Sequence, residues 1–305
     1  MQKYFYLIAL LIFLTENSFS QIDTNFHSPK KVYYSVNEAL PNKDSAIVLV
    51  LRGQGHTAVP AGIEQLYQLR KVNFMKNAIT EIPTSIYALK ELRDLNFRQN
   101  KISKFNLGIS SLQSLEALAI EKNEITKLPH DLGELKKLKT LEMEENKIDS
   151  IHVLCKLNSL EVLIADNNLI TTLPQDINKL KSLKILSLAN NKINTLPSNF
   201  YSLPSLVELN LQGNHLQSID KKIAQMKNLK SLVLTSNDLE ELPNAICELD
   251  NLEMLTLSFN PLKKMPSDLS KLKNLKMLIA LGTNLTKTEQ EKIKKSLPWC
   301  KVMFE

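Results

Sequence analysis

The side chains best suited to catalysis or metal binding are few in this sequence of 305 residues, and they are scattered. Cys155, Cys247 and Cys300 form no C-x-x-C pair, and no histidine has a second histidine or a cysteine at metal-ligand spacing. No serine, histidine and acidic residue occupy neighbouring positions that would join a nucleophile to its base. We therefore predict a protein that is not an enzyme, that has no metal site and no cofactor, and whose cysteines are free, buried thiols.

Charged residues are more numerous, and their order along the chain forms groups that could bind a partner. Carboxylates fall in the middle, at Glu121, Glu142, Glu144, Glu145 and Asp166. Basic residues precede them, at Arg52, Lys71, Lys76 and Arg98, and mostly apolar residues follow, at Val233, Met254, Phe259, Met277, Ile279 and Leu281. Carboxylates bind calcium in many proteins, but this acidic group lacks the spacing of a calcium loop. The segregation favours a partner of complementary polarity.

A sequence repeat positions these groups. The segment from Leu183 to Ser205 returns at intervals of 23 residues, except between Leu138 and Leu160, where the interval is 22. A period of about 20 to 29 residues headed by L-x-x-L-x-L-x-x-N indicates a stacked solenoid. Leucine holds the first position of each copy, at Leu69, Leu92, Leu115, Leu138, Leu160, Leu183, Leu206, Leu229, Leu252 and Leu275.

Each copy begins as a short strand and ends that strand at an asparagine. Leu186 and Leu188 alternate with Ile185 and Ser187, which is the period of a strand. In a parallel stack, the third, fifth, seventh and eighth positions of each repeat face away from the leucine core. An asparagine amide both donates and accepts hydrogen bonds, so one column of amides can bridge adjacent turns. The asparagines predicted to have this structural role are Asn77, Asn100, Asn123, Asn146, Asn168, Asn191, Asn214, Asn237 and Asn260.

The repeat heads, together with return limbs such as Leu128-Pro129, Leu132 and Leu135, resemble the leucine-rich repeat family of bacterial type over about residues 46–305. The resemblance implies an α/β fold: a curved solenoid with parallel concave strands and short helical or 3-10 turns on the convex side. It also implies non-enzymatic binding of a protein or peptide by the concave strand face. The binding residues predicted there are Arg52, Lys71, Arg98, Glu121, Glu142, Glu144, Glu145, Asp166 and Phe259.

The first residues resemble an export signal. An apolar run from Tyr4 to Leu14 is followed by small residues at Ser18 and Ser20, which a signal peptidase could read. We predict a secreted, periplasmic or cell-surface protein with no membrane span after signal removal, or a cytoplasmic one if this segment is not a signal. The predicted divisions are 1–20 for the signal peptide, 21–45 for a linker and cap helix, 46–285 for the repeats and 286–305 for a cap helix and strand.

The overall charge excludes one class of partner. The chain has 38 basic and 32 acidic residues, a net charge of +6, which is a mixed surface rather than a basic face, so we predict no nucleic-acid partner. An unidentified protein or peptide partner and a monomeric state are expected. Two other functions remain open: a structural or adhesive surface protein, and an intracellular signalling scaffold. Free drift of exposed repeat positions would also produce charge groups of this size.

Two packing expectations follow from the repeat. The apolar group near the carboxyl end should pack beneath the terminal helix. Opposite charges at the second positions of adjacent coils should form a lateral ladder of ion pairs, through Glu116, Lys139, Glu161, Lys184, Lys230, Glu253 and Lys276.

Overall fold

The computed structural model describes residues 31–304 as a stack of coils, each of which adds one short strand to a long open sheet. All strand pairs are parallel, as the stacking of successive repeats predicts, and this confirms the predicted leucine-rich repeat solenoid. The strands are β1 (Val32–Tyr33), β2 (Val48–Val50), β3 (Lys71–Asn73), β4 (Glu81–Ile82), β5 (Asp94–Asn96), β6 (Lys104–Phe105), β7 (Ala117–Ala119), β8 (Thr140–Glu142), β9 (Val162–Ile164), β10 (Ile185–Ser187), β11 (Glu208–Asn210), β12 (Ser231–Val233), β13 (Met254–Thr256), β14 (Met277–Ile279) and β15 (Lys301–Met303). Thirteen of them form the long sheet in chain order, and β4 pairs with β6 in a small second sheet.

The return limbs are built from 3-10 helices. Proline begins many of them, because its ring holds φ near −65° in the extended backbone that precedes the turn, as at Pro129 (φ −67°, ψ 143°) and Pro174 (φ −65°, ψ 144°). The 3-10 helices are Leu40–Asn42, Ile63–Gln65, Thr84–Ala88, Ile109–Ser111, His130–Glu134, His152–Lys156, Gln175–Lys179, Ser198–Ser202, Lys221–Gln225, Asn244–Glu248 and Leu269–Lys271.

Two α-helices lie near the ends of the stack. Helix α1 (Val36–Ala39) begins at Ser35, whose hydroxyl accepts from the backbone N–H of Glu38, and the Glu38 carboxylate accepts from the N–H of Tyr34. Helix α2 (Lys287–Ser296) begins in the same way at Thr286, which accepts from the N–H of Glu289. Both starts have the hydroxyl bond that the capping-box spacing predicts, but the glutamate carboxylates accept from the N–H of Tyr34 and of Met265 rather than from the N-cap residue.

A single apolar core runs the length of the stack, from Tyr33 to Phe304. The first-position leucines such as Leu183 are fully buried, as are the strand leucines such as Leu186, because each coil covers the apolar side of the previous one. Phe74 and Phe97 on neighbouring coils stack with their ring centroids 4.9 Å apart. The core therefore fixes the strand register on which the concave face depends.

The asparagine column holds adjacent coils together through the amide side chain. Asn191 Nδ2 donates to the carbonyl oxygens of Ala165 (3.0 Å) and Leu188 (3.1 Å), and its Oδ1 accepts from the N–H of Ile170 (3.1 Å). Two of these partners lie in the preceding coil, so the amide satisfies buried backbone groups that the sheet leaves unpaired. The same bonds recur at Asn77, Asn100, Asn123, Asn146, Asn168, Asn214, Asn237 and Asn260.

The predicted ladder of ion pairs is confirmed only in parts. Lys139 Nζ lies 2.8 Å from Glu116 Oε2, and Lys184 Nζ lies 2.6 Å from Glu161 Oε2. Glu253 pairs with lysines on both sides, whereas within residues 31–304 no ion pair connects Lys139 to Glu161. Most of these side chains are exposed, so each pair contributes little to stability.

Two expectations about packing are wrong. Cys155 and Cys247 are free and buried, but Cys300 is only partly buried because it lies in the last coil, where no further coil covers it. Burial raises the pKa of all three thiols to about 11, which keeps them protonated at neutral pH.

The second expectation that is wrong concerns helix α2. This helix contacts the return limb at Leu269–Lys271, on the convex side, so it does not cover the apolar group of the concave strands.

The described part of the chain contains no helix of sufficient length and hydrophobicity to cross a bilayer. The predicted signal peptide (1–20) and residues 21–30 of the predicted linker lie outside the described residues.

Candidate functional site on the concave face

The strand register brings the predicted carboxylates together. On β8, Glu142 lies beside Ala119 of β7 and beside Ile164 of β9. Glu121, Glu144 and Asp166 hold the seventh position of the same three coils, directly after these strands. Neighbouring strands are about 4.8 Å apart, so the four carboxylates form one group, which we call the acidic cluster: Glu121, Glu142, Glu144 and Asp166.

Two of the four basic side chains of the concave face are paired with carboxylates one repeat further along the chain, whereas Arg52 and Lys76 are exposed. Lys71 Nζ lies 3.1 Å from Asp94 Oδ2, and Arg98 Nε lies 3.3 Å from Glu121 Oε1. Asp94 was missed in the sequence, although its spacing of 23 residues from Lys71 was a usable signal. The basic group is thus neutralised at Lys71 and Arg98.

Glu145 differs from the other predicted acidic residues. Its carboxylate lies 3.1 Å from Lys122 Nζ, and about half of the side chain is exposed. Lys122 is a second residue that the sequence reasoning missed, again at a spacing of 23. Glu145 therefore belongs to an exposed ion pair beside the acidic cluster and adds little net charge to it.

Glu121 is the most deeply buried member of the acidic cluster. Its side chain is 1% exposed, and Oε2 has no hydrogen-bond partner within the described residues. Burial, together with the negative charges of Glu144 and Glu142, raises its pKa to about 8. The Arg98 guanidinium lowers this pKa, but by a smaller amount. At neutral pH this carboxyl is therefore largely protonated, and a positive charge placed beside it would lower its pKa and favour the ionised form.

Glu144 and Asp166 continue this environment on the next two coils. Burial raises the pKa of Glu144 to about 7, and the charges of Glu142 and Asp166 act in the same direction. Asp166 Oδ1 accepts from Ser187 Oγ (2.6 Å) and from the N–H of Ala189 (2.7 Å), yet burial still raises its pKa above the ordinary value. The raised pKa values of Glu121 and Glu144 show that the surroundings of the cluster supply too little positive charge to keep both carboxyls ionised at neutral pH.

The spacing of these carboxylates does not suit a small metal ion. Over residues 31–304, no three histidine, cysteine, aspartate or glutamate side chains are arranged to hold one. Larger cations with several separated donors, such as a guanidinium group, can contact carboxylates on neighbouring strands at once.

A column of left-handed backbone borders the concave face at the eighth position of each coil. Glycine occupies three of these positions, Gly53, Gly213 and Gly282, where a residue without a Cβ adopts positive φ at no steric cost. Asparagine occupies two, and the frequent glycine and asparagine were a signal that the sequence reasoning did not use. The other positive-φ positions are Lys76, Gln99, Lys122, Glu145, Asn167, Asn190, Ser236 and Phe259.

Phe259 is the bulkiest residue in this column. Its φ is +56°, its side chain is 62% exposed, and its ring lies over Gly282, where an added Cβ would come within 2.8 Å of the ring. The partly buried side chains of Met254, Met277 and Ile279 lie on the adjoining strands. With Leu281 these residues form what we call the apolar patch, which the structure leaves open to solvent at Phe259.

Replacing Phe259 with glycine is expected to change the stability of the fold by less than about 1 kcal/mol, because relief of left-handed backbone offsets the lost ring contact. Replacing it with valine should destabilise by about 1 to 2 kcal/mol, since a branched Cβ fits positive φ poorly. Chemical denaturation of both variants measures the difference. Equal destabilisation by the two substitutions would show that the backbone at residue 259 carries no strain.

Two family models match the chain. A model described as a leucine-rich repeat region matches residues 48–163, and a leucine rich repeat model matches residues 158–216 and 206–262. The chain belongs to the leucine-rich repeat family. Both models describe repeats, and neither describes a catalytic domain. No curated protein matches this leucine-rich repeat chain by sequence.

Solved structures of other leucine-rich repeat proteins share the fold. The Leptospira interrogans protein LIC12759 is 26% identical with a TM-score of 0.68, and the match covers 90% of this chain and all of that one. The functional domain of InlJ from Listeria monocytogenes is 26% identical (TM-score 0.67), with 81% of this chain and 50% of that chain covered. The plant peptide hormone receptor RGFR1, in complex with RGF2, is 27% identical (TM-score 0.70), with 83% and 42% covered.

Proposed function

We propose that this leucine-rich repeat chain is a non-enzymatic binding protein that recognises a protein or peptide through its concave strand face. The observation that carries the proposal is the acidic cluster, in which Glu121 and Glu144 each have a carboxylate oxygen without a hydrogen-bond partner among the described residues. Groups that cost free energy in the unbound protein are stabilised when a cationic partner covers them.

The similarity to a receptor for a peptide supports this proposal at the level of the fold. RGFR1 is a peptide hormone receptor, and its structure holds RGF2. A fold does not determine a function, so the argument for binding depends on the acidic cluster of this chain.

Export is part of the proposal, and its support is the sequence of residues 1–20. Amino-terminal sequencing of the mature protein tests it, because cleavage before Gln21 leaves glutamine as the first residue. An intact Met1 on protein recovered from the cytoplasm would contradict export.

Reversing the charge of the acidic region tests the binding function. The triple variant Glu142→Lys, Glu144→Lys, Glu145→Lys is expected to capture at least tenfold less of the partner from extracts than the native protein does. The introduced lysines would repel a cationic surface on that partner. Quantitative mass spectrometry of the captured protein measures the change, and circular dichroism checks that the fold is intact.

A matched control reverses three exposed carboxylates away from the concave face, Glu124→Lys, Glu240→Lys and Glu241→Lys. This control has the same change in net charge and should capture the partner as the native protein does. If the concave variant captures as much as the control, the binding site is elsewhere. Crosslinking to diffuse envelope material rather than to one protein would favour the structural or adhesive alternative.

A further inference from the structure

The acidic cluster provides one anchor for a ligand. Glu144 and Asp166 occupy the same position of adjacent coils and are partly exposed, while on the preceding coil the buried Glu121 has one carboxylate oxygen without a partner in the described part of the chain. A guanidinium or ammonium group placed between two such carboxylates donates to both, and charge-assisted hydrogen bonds of this kind are the strong ones. The flanking Arg98 is already engaged with Glu121, so the positive charge that completes the cluster must come from outside it.

The apolar patch provides a second anchor. Phe259 combines a large exposed ring with a backbone conformation that its repeat equivalents Gly213 and Gly282 adopt without cost. A phenylalanine placed there offers solvent a flat apolar surface that the fold itself does not cover. That surface fits a large aliphatic or aromatic side chain of a ligand.

The floor between the two anchors is mostly polar. The fifth and seventh positions of the three intervening coils hold four polar side chains and two apolar ones, and a third position adds one carboxylate: Ser187, Asn210, Gln212 and Thr235; Ala189 and Val233; and Glu208. Hydroxyl and amide groups both donate and accept hydrogen bonds, so they can bind the main chain of an extended segment.

The distance between the anchors sets the length of the ligand. Strand β8 of the acidic cluster and strand β13 of the apolar patch are five strand steps apart in the sheet order. Five steps of about 4.8 Å give about 24 Å, which an extended chain at about 3.3 Å per residue spans with about seven residues.

We propose that the concave face binds an extended peptide segment that places an arginine or lysine on the acidic cluster and a large apolar side chain, about seven residues away, on Phe259. This inference rests on the proposed binding function and adds the chemistry and the spacing of the ligand. Neither anchor alone defines such a segment, because one fixes a charge and the other fixes an apolar contact.

A displayed library of random twelve-residue peptides, selected on the full chain, tests this. The expected result is enrichment of peptides that pair arginine or lysine with a large apolar residue at a spacing of six to eight. The enriched peptide should bind at least tenfold more weakly to Glu144→Gln and to Phe259→Gly. It should bind unchanged to the matched controls Glu124→Gln and Leu107→Ala, which alter an exposed carboxylate and an exposed apolar side chain outside the concave face.

Three outcomes overturn the inference: no enrichment, enrichment without this pair and spacing, or undiminished binding to either site variant. The charge-reversal capture experiment separates the two proposals. If that variant loses its protein partner while the library result fails, the concave face binds a ligand of different chemistry and only this inference is wrong. If capture is also unaffected, the proposed function fails with it.

Discussion

Replacing Asn191 with alanine is expected to lower the free energy of unfolding by about 3 kcal/mol, because it orphans several buried backbone groups at once. The side chain is almost fully buried, and its amide serves the carbonyl oxygens of Ala165 and Leu188 and the N–H of Ile170. Alanine fills none of these positions, and water has no access to the site. The midpoint and slope of urea unfolding, followed by circular dichroism, measure the loss.

The matched control is Asn194→Ala, three residues along the same coil, where the asparagine is exposed. Its removal deletes the same chemical group from the surface and should change stability by less than about 0.5 kcal/mol. A similar small effect at Asn191 would mean that the amide column does not hold the coils together. Because coils interact only with their neighbours, the loss at Asn191 should also increase hydrogen exchange most in the coils on either side of it.

The second large effect is a dependence of stability on pH that Glu121 imposes. Burial raises the pKa of this carboxyl from 4.5 to about 8 in the folded chain. A group whose pKa is raised on folding stabilises the fold fully below the unfolded value, and that contribution is lost as pH rises through the folded value. The native protein is therefore expected to lose stability between about pH 5 and pH 9, by on the order of 5 kcal/mol.

The variant Glu121→Gln removes the titrating group while it keeps the shape of the side chain. It should match the native protein near pH 5 and exceed its stability near pH 9, because the glutamine cannot become charged. Thermal unfolding at a series of pH values measures both curves. The exposed carboxylate Glu124, changed to glutamine, is the control and should leave the native pH profile in place.

An unchanged profile in Glu121→Gln would show that another group causes the loss at high pH. Glu144, with its pKa raised to about 7, is then the first alternative, and Glu144→Gln tests it in the same way.

The repeat period predicted the fold because its evidence is local and is repeated in every coil. Leucines at fixed positions define the core, and asparagines at the ninth position define the turns, so the sequence needs no long-range information to specify the stack. The sequence of the return limb likewise predicted short helical turns, which the structure shows as 3-10 helices.

The candidate site was predicted less completely, because charge pairing between coils depends on side-chain geometry. Lys71 and Arg98 were assigned to a basic surface, whereas the structure pairs them with Asp94 and Glu121. A residue type cannot reveal whether its charge is already compensated by a neighbour 23 residues away. The position of helix α2 was missed for a related reason, since a capped helix can fold over either side of the last coil.

The left-handed column was visible in the sequence only at its glycine and asparagine members. Residues such as Lys122 and Phe259 also belong to this column, but their residue types do not indicate positive φ. The backbone there is imposed by the coils on both sides, which overrides the local preference of one residue.

Because the coils are nearly uniform, the length of the stack can be changed by whole repeat units. Removal or duplication of one whole 23-residue unit between Asp166 and Phe259 would keep every leucine and asparagine in register. Such a change would alter the distance between the acidic cluster and the apolar patch by about 4.8 Å, which is a little over one residue of an extended chain. Proteins that gain or lose such units can therefore change the length of the ligand they bind in fixed increments, while the side chains of both anchors stay the same.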